Sequence, residues 1–302
     1  MSPPATIETT KLSKDYGAGS GVFDLDLEVR AGEVFGFLGP NGAGKSTTMR
    51  MLLGLIAPTG GSACILGRDC RADGLEIRRR VGYLPGDFAM YPRLTGAEML
   101  GHLAELRGGT SAAVRKALAD RFGAELDRPI GELSTGNRQK IGLISAFMHE
   151  PEVLILDEPI AGLDPLVQQS FHALLDETAA RGGTILLSSH TLSEVERVAD
   201  RVAILRRGRL AEVDTLENLR QVAVHRLEVD MAGGRDSDSG LAGVPGVKEV
   251  RREGDHLLIS YEGSADPLIK ALAAHDVSAI RSRDDDLEEV FLDLYRDRGE
   301  GS

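Results

Sequence analysis

The sequence predicts an α/β fold, followed by a smaller C-terminal domain of the α+β class. The first observation is that short apolar runs alternate with helical patterns over residues 1–222, which is typical of α/β proteins. The second is a change of composition after about residue 222, because residues 230–246 are rich in Gly, Asp and Ser. We therefore expect two domains, residues 1–222 and residues 223–302.

Four short runs predict strands buried inside the first domain. Each run is largely apolar, as in strands that are covered on both faces of a sheet. The first run ends in a glycine-rich loop, and a helical pattern follows from Ser46 to Leu55. The four runs are Val34–Leu38, Val153–Leu156, Thr184–Ser188 and Arg201–Leu205.

Residues from about 87 to 150 have no convincing strand pattern, and they predict a helical insert within the α/β domain. Thr95 and Glu98 have the spacing of a capping box, which marks the start of a helix. Val114, Leu118 and Phe122 then fall on one stripe of a second helix.

The C-terminal region predicts a β-α-β-β-α-β order with a terminal helix, which is compatible with a ferredoxin-like unit. Its predicted strands alternate in character, and two of them form a hairpin around 253–255. The predicted elements are strand Arg226–Met231, helix Ser237–Ala242, strands Val247–Arg252 and His256–Glu262, helix Pro267–His275, strand Val277–Arg281 and a final amphipathic helix with Leu287, Val290, Phe291 and Leu294.

The composition narrows the classes of function. The formal net charge of −12 disfavours a nucleic-acid partner, because such binding depends on Lys and Arg at phosphates. No apolar run reaches the roughly 18 residues of a membrane span, and the N-terminus lacks a secretory signal pattern. Cys64 and Cys70 form neither a metal quartet nor a disulfide framework. We expect a soluble, cytoplasmic chain.

A phosphate-binding motif follows the first buried strand. It fits the P-loop pattern G-x-x-x-x-G-K-[ST], in which backbone N–H groups and the next helix's positive end face the phosphates. Lys45 is placed to bridge β- and γ-phosphate oxygens, and Ser46 to coordinate Mg²⁺. We therefore predict a P-loop NTPase (RecA-like) core that binds ATP. The predicted nucleotide-binding residues here are Gly39, Pro40, Asn41, Gly42, Ala43, Gly44, Lys45, Ser46 and Thr47.

Asp157 and Glu158 supply the second half of the predicted site. Asp157 comes at the carboxyl end of an apolar strand, where a carboxylate lies beside the phosphate loop and is placed to bind Mg²⁺. Glu158 is placed to reach a water molecule in line with the γ-phosphate and to act as general base. We therefore expect Lys45 and Glu158 to be catalytic.

The segment Leu133-Ser134-Thr135-Gly136-Asn137, which precedes a helix leading to the Asp-Glu strand, resembles the signature motif of ABC-type ATPases. The resemblance extends over nearly the whole chain. It implies a homodimer in which two nucleotide-binding domains pack head to tail, with ATP between one subunit's P-loop and the other's signature. A signature at a helix start is also a favourable anion site.

Further positions are similar to that family. Tyr16 corresponds to the aromatic residue that stacks on adenine, and Asp164 to the loop that carries signals across the dimer interface. His190 corresponds to the catalytic switch histidine that contacts the γ-phosphate. Thr191 and Glu194 have capping-box spacing, which predicts that they fix the turn after His190.

The chain also departs from the family pattern. Gly86 and Asp87 stand where the resemblance implies Gln, and glycine has no side chain with which to bind a metal or a water. Thr135 and Asn137 stand where Gly and Gln are usual. We expect ATP hydrolysis to survive these changes, at a lower rate.

Three stretches look most like the ATPase subunits of ABC-2-type exporters, which include daunorubicin and other antibiotic-resistance transporters. They are Tyr83–Pro85, Tyr91–Thr95 and Leu287–Phe291. The resemblance implies a separate integral membrane permease, with this subunit at the cytoplasmic face of the cell membrane.

Two other functions remain open at this point. One is a soluble ABC-type ATPase acting on ribosomes or nucleic acid, although such proteins usually carry two cassettes, or long coiled-coil or zinc insertions. The other is a weakly hydrolysing nucleotide sensor, suggested by Gly86 and the altered signature.

Overall fold

A computed structural model describes residues 5–218, 224–231, 240–254 and 256–283. The chain divides into two compact units, Met1–Val213 and Asp214–Ser302, a division that precedes the predicted boundary at residue 222. The predicted final helix, and residues 237–239 of the predicted helix Ser237–Ala242, lie outside the described residues.

All four strands predicted for the α/β domain are present in the first 215 residues, together with further strands and helices. The strands are β1 (Ala5–Gly17), β2 (Ser20–Arg30), β3 (Val34–Leu38), β4 (Gly60–Ile65), β5 (Arg68–Asp69), β6 (Val81–Leu84), β7 (Val153–Asp157), β8 (Thr184–Ser189), β9 (Arg201–Arg206) and β10 (Arg209–Thr215). The helices are α1 (Lys45–Leu52), α2 (Gly74–Arg80), α3 (Gly96–Leu106), α4 (Ala112–Phe122), α5 (Thr135–Phe147), α6 (Pro165–Ala180) and α7 (Leu192–Val195).

The central sheet has the order β10-β9-β3-β8-β7-β6. The pairs β9/β3, β3/β8, β8/β7 and β7/β6 are all parallel. All residues of β3, β7 and β8 are buried, which explains their apolar composition. Because parallel strands end at the same edge, the P-loop, Asp157 and His190 come together there.

A second, antiparallel sheet has the order β2-β1-β4-β5, and its strands are not among the predicted elements. In β2 the buried side chains Val22, Leu25, Leu27 and Val29 contribute to the core that this sheet shares with β3 and α1.

Helix α1 is shorter than its predicted range of Ser46 to Leu55. It ends at Leu52, because Gly54 adopts a left-handed φ of 62° and the Leu55 N–H reaches back to the Arg50 carbonyl at 2.9 Å. Such a glycine commonly terminates a helix.

The predicted helical insert contains α3, α4, α5 and a 3-10 turn at Ile130–Glu132. Thr95 and Glu98 form the predicted capping box at the start of α3. Leu118 and Phe122 are buried on the inner side of α4, with Val114 half-buried beside them.

The second unit is built on the strands β11 (Val224–Met231), β12 (Val247–Glu253), β13 (His256–Glu262) and β14 (Val277–Arg283), with helix α8 (Asp266–Leu272). The strand order is β12-β13-β11-β14, and the three pairings are antiparallel. The predicted hairpin is therefore confirmed, and Val229, Ile259 and Leu268 lie in the core of this unit.

Within the described ranges, no helix combines the length and the apolar character needed to cross a membrane.

Candidate functional site

The loop after β3 requires glycine at two positions for steric reasons. A Cβ on Gly39 would lie 2.5 Å from the Leu205 carbonyl oxygen, and one on Gly44 would lie 2.7 Å from Val22 Cγ2. Gly44 also has a left-handed φ of 111°, which favours glycine. The loop is thus pressed against β2 and β9, and it leads directly into α1.

Lys45 lies beneath this loop and is 5% exposed. Its ammonium donates to the carbonyl oxygens of Gly39 at 2.6 Å and Pro40 at 3.3 Å. It also lies 3.7 Å from Glu158 Oε1. Burial lowers the pKa of this ammonium, and the charges of Glu158 and Asp157 act in the opposite direction. The positive charge is therefore fixed between the loop and the carboxylates.

Asp157 is the last residue of β7 and is 2% exposed. Its carboxylate is held in place by Ser188, which is not among the predicted site residues. The Ser188 hydroxyl donates to Asp157 Oδ1 at 2.6 Å, and Ser188 Oγ accepts from the Glu158 N–H at 3.0 Å. Ser188 is fully buried. The available signal was the pair of serines that ends an apolar strand just before His190.

Glu158 projects from the strand end into the same region. Its backbone is left-handed, with φ of 48°, which is unfavourable for a residue with a side chain. Its Oε2 lies 3.3 Å from His190 Nδ1, and its carbonyl accepts from Gln139 Nε2 at 3.3 Å. The structure thus brings Lys45, Glu158 and His190 together.

Lys45 and Glu158 line a cleft of about 220 Å³. Tyr16 is on one side of the cleft and is 57% exposed, with Lys14 Nζ 5.5 Å from the centre of its ring. An exposed aromatic face beside a phosphate loop is suited to stacking on a base. The cleft is lined by Tyr16, Ser20, Gly21, Pro40, Asn41, Gly42, Gly44, Lys45, Ser46, Thr47 and Glu158.

The predicted signature segment forms the start of α5, and its side chains point in two directions. Ser134 is the N-cap, and its hydroxyl accepts from the Asn137 N–H at 3.1 Å. Ser134 and Thr135 are exposed, whereas Leu133 and Asn137 are buried. Gly136 is half-buried against the 161–163 loop, since a Cβ on it would lie 2.8 Å from the Gly162 carbonyl oxygen.

Asn137 binds its own subunit through both atoms of its amide. Its Nδ2 donates to the Glu125 carbonyl at 2.7 Å, and its Oδ1 accepts from the Glu125 N–H at 2.8 Å. This side chain ties α5 to the chain that follows α4. Of the predicted signature set, Ser134 and Thr135 are the exposed residues, and Gly136 is half-buried.

Asp164, in the predicted dimer loop, caps α6 by accepting from the N–H groups of Leu166 at 3.1 Å and Val167 at 3.0 Å. Its side chain is 54% exposed. Asp164 therefore lies on the surface, at a short distance along the chain from Glu158.

The predicted cap after His190 is wrong. Thr191 is the N-cap of α7, but its side chain accepts no capping hydrogen bond. Instead, the Glu194 carboxylate contacts the Ser189 hydroxyl, which also accepts from the Thr191 N–H at 2.9 Å. A serine one residue before His190 thus takes both capping partners, and it orders the turn that carries the histidine.

Gly86 packs against the carboxylate that ends β7. A Cβ at this position would lie 3.3 Å from Asp157 Oδ2, and Asp87, the next residue, is exposed. The glycine therefore leaves space beside the outer oxygen of Asp157.

A P-loop after one buried strand and an Asp-Glu pair after a second strand of the same parallel sheet define a P-loop nucleotide hydrolase. Residues 22–161 match the family model described as ABC transporter. The chain is 36% identical over 300 residues to the bacitracin transport ATP-binding protein BcrA of Bacillus licheniformis, covering 95% of this chain and 96% of that protein.

Two further proteins of similar sequence are also ATP-binding subunits of transporters. The Nod factor export ATP-binding protein I of Cupriavidus pinatubonensis is 34% identical over 304 residues, with 96% of this chain and 90% of that protein covered. A solved ATP-binding subunit of an ABC transporter is 36% identical with a TM-score of 0.63, covering 71% of this chain and 92% of that one. The chain belongs to the ATP-binding subunits of ABC transporters, and it binds and hydrolyses ATP.

Proposed function

We propose that this chain powers export across a membrane, as an ATP-driven homodimer attached to a separate integral membrane permease at the cytoplasmic face. The observation that carries the proposal is the convergence of Lys45 and His190 on the carboxylate of Glu158, which lines a cleft beside the P-loop. The names of its relatives, which include a bacitracin transport protein and a Nod factor export protein, support the direction of transport.

Ser46 and Asp157 are the residues that we expect to hold Mg²⁺. Hydroxyl and carboxylate oxygens are ligands that Mg²⁺ prefers, and Mg²⁺ commonly takes one or two protein ligands beside substrate phosphates. Ser188 fixes one oxygen of Asp157, and Gly86 leaves space at the other, so the residues present fit the ion. When bound, the ion neutralises charge on the phosphates.

The protein's own groups divide the work of hydrolysis. The P-loop N–H groups and Lys45 hold the β- and γ-phosphates by charge. Glu158 accepts a proton from the water whose oxygen attacks the γ-phosphorus, and the bond to the β-phosphate oxygen breaks to leave ADP. His190, 3.3 Å from the Glu158 carboxylate, orients that carboxylate and contacts the γ-phosphate.

The second contact to each nucleotide comes from the partner subunit. Ser134 and Thr135 are exposed at the start of α5, where helix N–H groups favour an anion. Neither residue lines the cleft beside the P-loop. A head-to-tail homodimer, with the ATP molecules between P-loops and signatures, brings both halves of each site together.

Exposed apolar side chains support a protein partner for the insert. Leu75 on α2 is 60% exposed, Tyr91 is 69% exposed and Leu106 at the end of α3 is 83% exposed. Arg107, beside Leu106, donates to the Arg78 carbonyl on α2 at 3.2 Å, so α2 and α3 are joined here.

The test is Glu158→Gln, a substitution of similar size that cannot act as a base. We expect ATP binding to be retained and phosphate release to fall by about 10²-fold or more, the scale of general base catalysis. An ATP-dependent dimer should then accumulate on size exclusion. Turnover equal to wild type would remove Glu158 from this role.

The transport role is tested by purifying the chain from membranes. We expect an integral membrane protein to copurify in a stable complex. Recovery of an active ATPase with ribosomes or RNA in its place, in a salt-sensitive complex, would refute the exporter.

A further inference from the structure

The first turns of α5 contact the segment Glu158–Asp164, which runs from the proposed base to the dimer loop. Gln139 Nε2 donates to the Pro159 carbonyl at 2.9 Å and to the Glu158 carbonyl at 3.3 Å. Gly136, three residues earlier and so on the same side of the helix, packs on the Gly162 carbonyl, where a Cβ would lie at 2.8 Å. The helix start and this segment are therefore in direct contact at two points.

Gln139 uses one amide group to hold two successive carbonyls. Both hydrogens of a side-chain NH₂ group are donors, so the two bonds are compatible. One of them falls on the strained residue itself, because Glu158 has a left-handed φ of 48°, and the other falls on Pro159, the next residue. Such a conformation costs about 1–3 kcal/mol and persists only where the surroundings impose it.

The main chain of Glu158 is held from two sides. Its N–H donates to Ser188 Oγ on β8 at 3.0 Å, and its carbonyl accepts from Gln139 on α5. The hydrogen bond to Ser188 joins Glu158 to the central sheet of its own subunit. The contact from α5 comes from the helix that begins with Ser134 and Gly136, which the proposed function assigns to the partner's nucleotide.

We propose that Gln139 is a positioning residue, which fixes the Glu158 backbone of its own subunit and reports to it whether the signature at the start of α5 is engaged. The inference rests on the proposed function, because it needs a nucleotide of the partner subunit at Ser134 and Gly136. A rigid α5 then links the two ATP sites of the dimer: one site contacts its first turn, and the other depends on Gln139 for the orientation of its base.

The substitution that tests this is Gln139→Glu, because a carboxylate has nearly the same shape and cannot donate to either carbonyl. We expect kcat to fall about tenfold, the effect of about 1.4 kcal/mol, which is the scale of a net hydrogen bond. We expect the Kd of ATP to stay within about twofold, since Gln139 does not line the nucleotide cleft. The matched control is Gln168→Glu, because Gln168 Nε2 donates to the Leu163 carbonyl at 3.1 Å from α6, which carries no signature.

Mixed dimers separate an effect on the subunit's own base from an effect on the signature. In the first dimer, one chain carries Glu158→Gln together with Gln139→Glu, and the other chain is wild type. In the second, one chain carries Glu158→Gln and the other carries Gln139→Glu. Each dimer has one chain that retains Glu158. Only in the second dimer is Gln139 substituted in that chain. The reference dimer pairs Glu158→Gln with wild type.

We expect the first mixed dimer to match the reference and the second to lose about tenfold in turnover, the same factor as above. Equal losses in the two, or loss in the first only, would overturn the inference, as would a Gln168→Glu series that behaves in the same way. Wild-type ATPase and Glu158→Gln dimerisation are measured alongside. If those fail, the proposed function itself is wrong; if they succeed while both mixed dimers match the reference, only the role of Gln139 is wrong.

Discussion

Replacing Ser188 with alanine removes the hydroxyl that joins Asp157 to Glu158. The Ser188 hydroxyl donates to the Asp157 carboxylate at Oδ1 over 2.6 Å, and Ser188 Oγ accepts from the Glu158 N–H at 3.0 Å. Ser188 is fully buried and Asp157 is 2% exposed, so water has poor access to the groups left behind. The substitution therefore removes two hydrogen bonds while the partners stay buried.

The magnitude follows from the two bonds. A hydrogen bond to a charged group contributes about 1.5–3 kcal/mol, and one between neutral groups contributes about 1 kcal/mol. We expect Ser188→Ala to lower the free energy of unfolding by about 3 kcal/mol. Turnover should fall by at least about tenfold as well, because the strained Glu158 backbone loses its support from β8.

Urea unfolding followed by circular dichroism gives the stability change, and phosphate release gives the turnover. The matched control is Ser145→Ala: Ser145 is 8% exposed and donates to the Gly142 carbonyl at 2.7 Å within its own helix. That control should cost about 1 kcal/mol and keep wild-type kcat. If Ser188→Ala is no less stable than Ser145→Ala and hydrolyses ATP at the wild-type rate, the account of the site is refuted.

Two further predictions concern parts of the fold that support the site. Asn137→Ala should lower the free energy of unfolding by about 2 kcal/mol, because two hydrogen bonds to the Glu125 main chain are lost; urea unfolding that agrees with wild type would contradict this. The second prediction concerns pH. Burial and the charge of Arg107 lower the pKa of His149 from 6.5 to about 4, and Arg107 Nη1 donates to the neutral ring at 2.8 Å. Because the unfolded chain takes up this proton first, stability is complete above pH 6.5 and falls as the pH drops towards 4. The loss is about 1–2 kcal/mol after allowance for partial exposure of the ring. In His149→Gln, unfolding curves recorded across this pH range should lack that loss, and a variant with the same loss would refute the assignment.

Much of the α/β core was predictable, because its signals are local. The strands β3, β7, β8 and β9 appear as short apolar runs, and burial on both faces is the direct cause of that pattern. The antiparallel sheet is harder to predict. In its central strand β1, charged and polar residues are mixed with few apolar ones, and its pairing with β4 joins residues far apart in the chain.

The candidate site also contains some residues that were predictable from the sequence and others that were not. The P-loop and the Asp157-Glu158 pair are contiguous motifs, so each is recognisable from adjacent residues, and the parallel sheet then brings Lys45 to 3.7 Å from Glu158. Ser188 and Gln139 have no such motif, because each acts on residues that the chain places far from it. Asn137 is the opposite case: it lies in a recognisable motif, and the structure shows that its side chain makes two hydrogen bonds to the Glu125 main chain of its own subunit.

By itself, the sequence determined that this chain has a phosphate loop after a buried strand and an Asp-Glu pair after a second strand, and it predicted a signature at a helix start. Each is a run of adjacent residues whose chemistry depends on neighbours in the chain. Only the tertiary structure decided which groups hold these parts in place. The adjacent strands β7 and β8 bring Ser188 under Asp157, and the packing of α5 on the 158–164 segment brings Gln139 to Glu158. The physical reason is that such hydrogen bonds join residues separated along the chain, and only the folded backbone sets the distances between them.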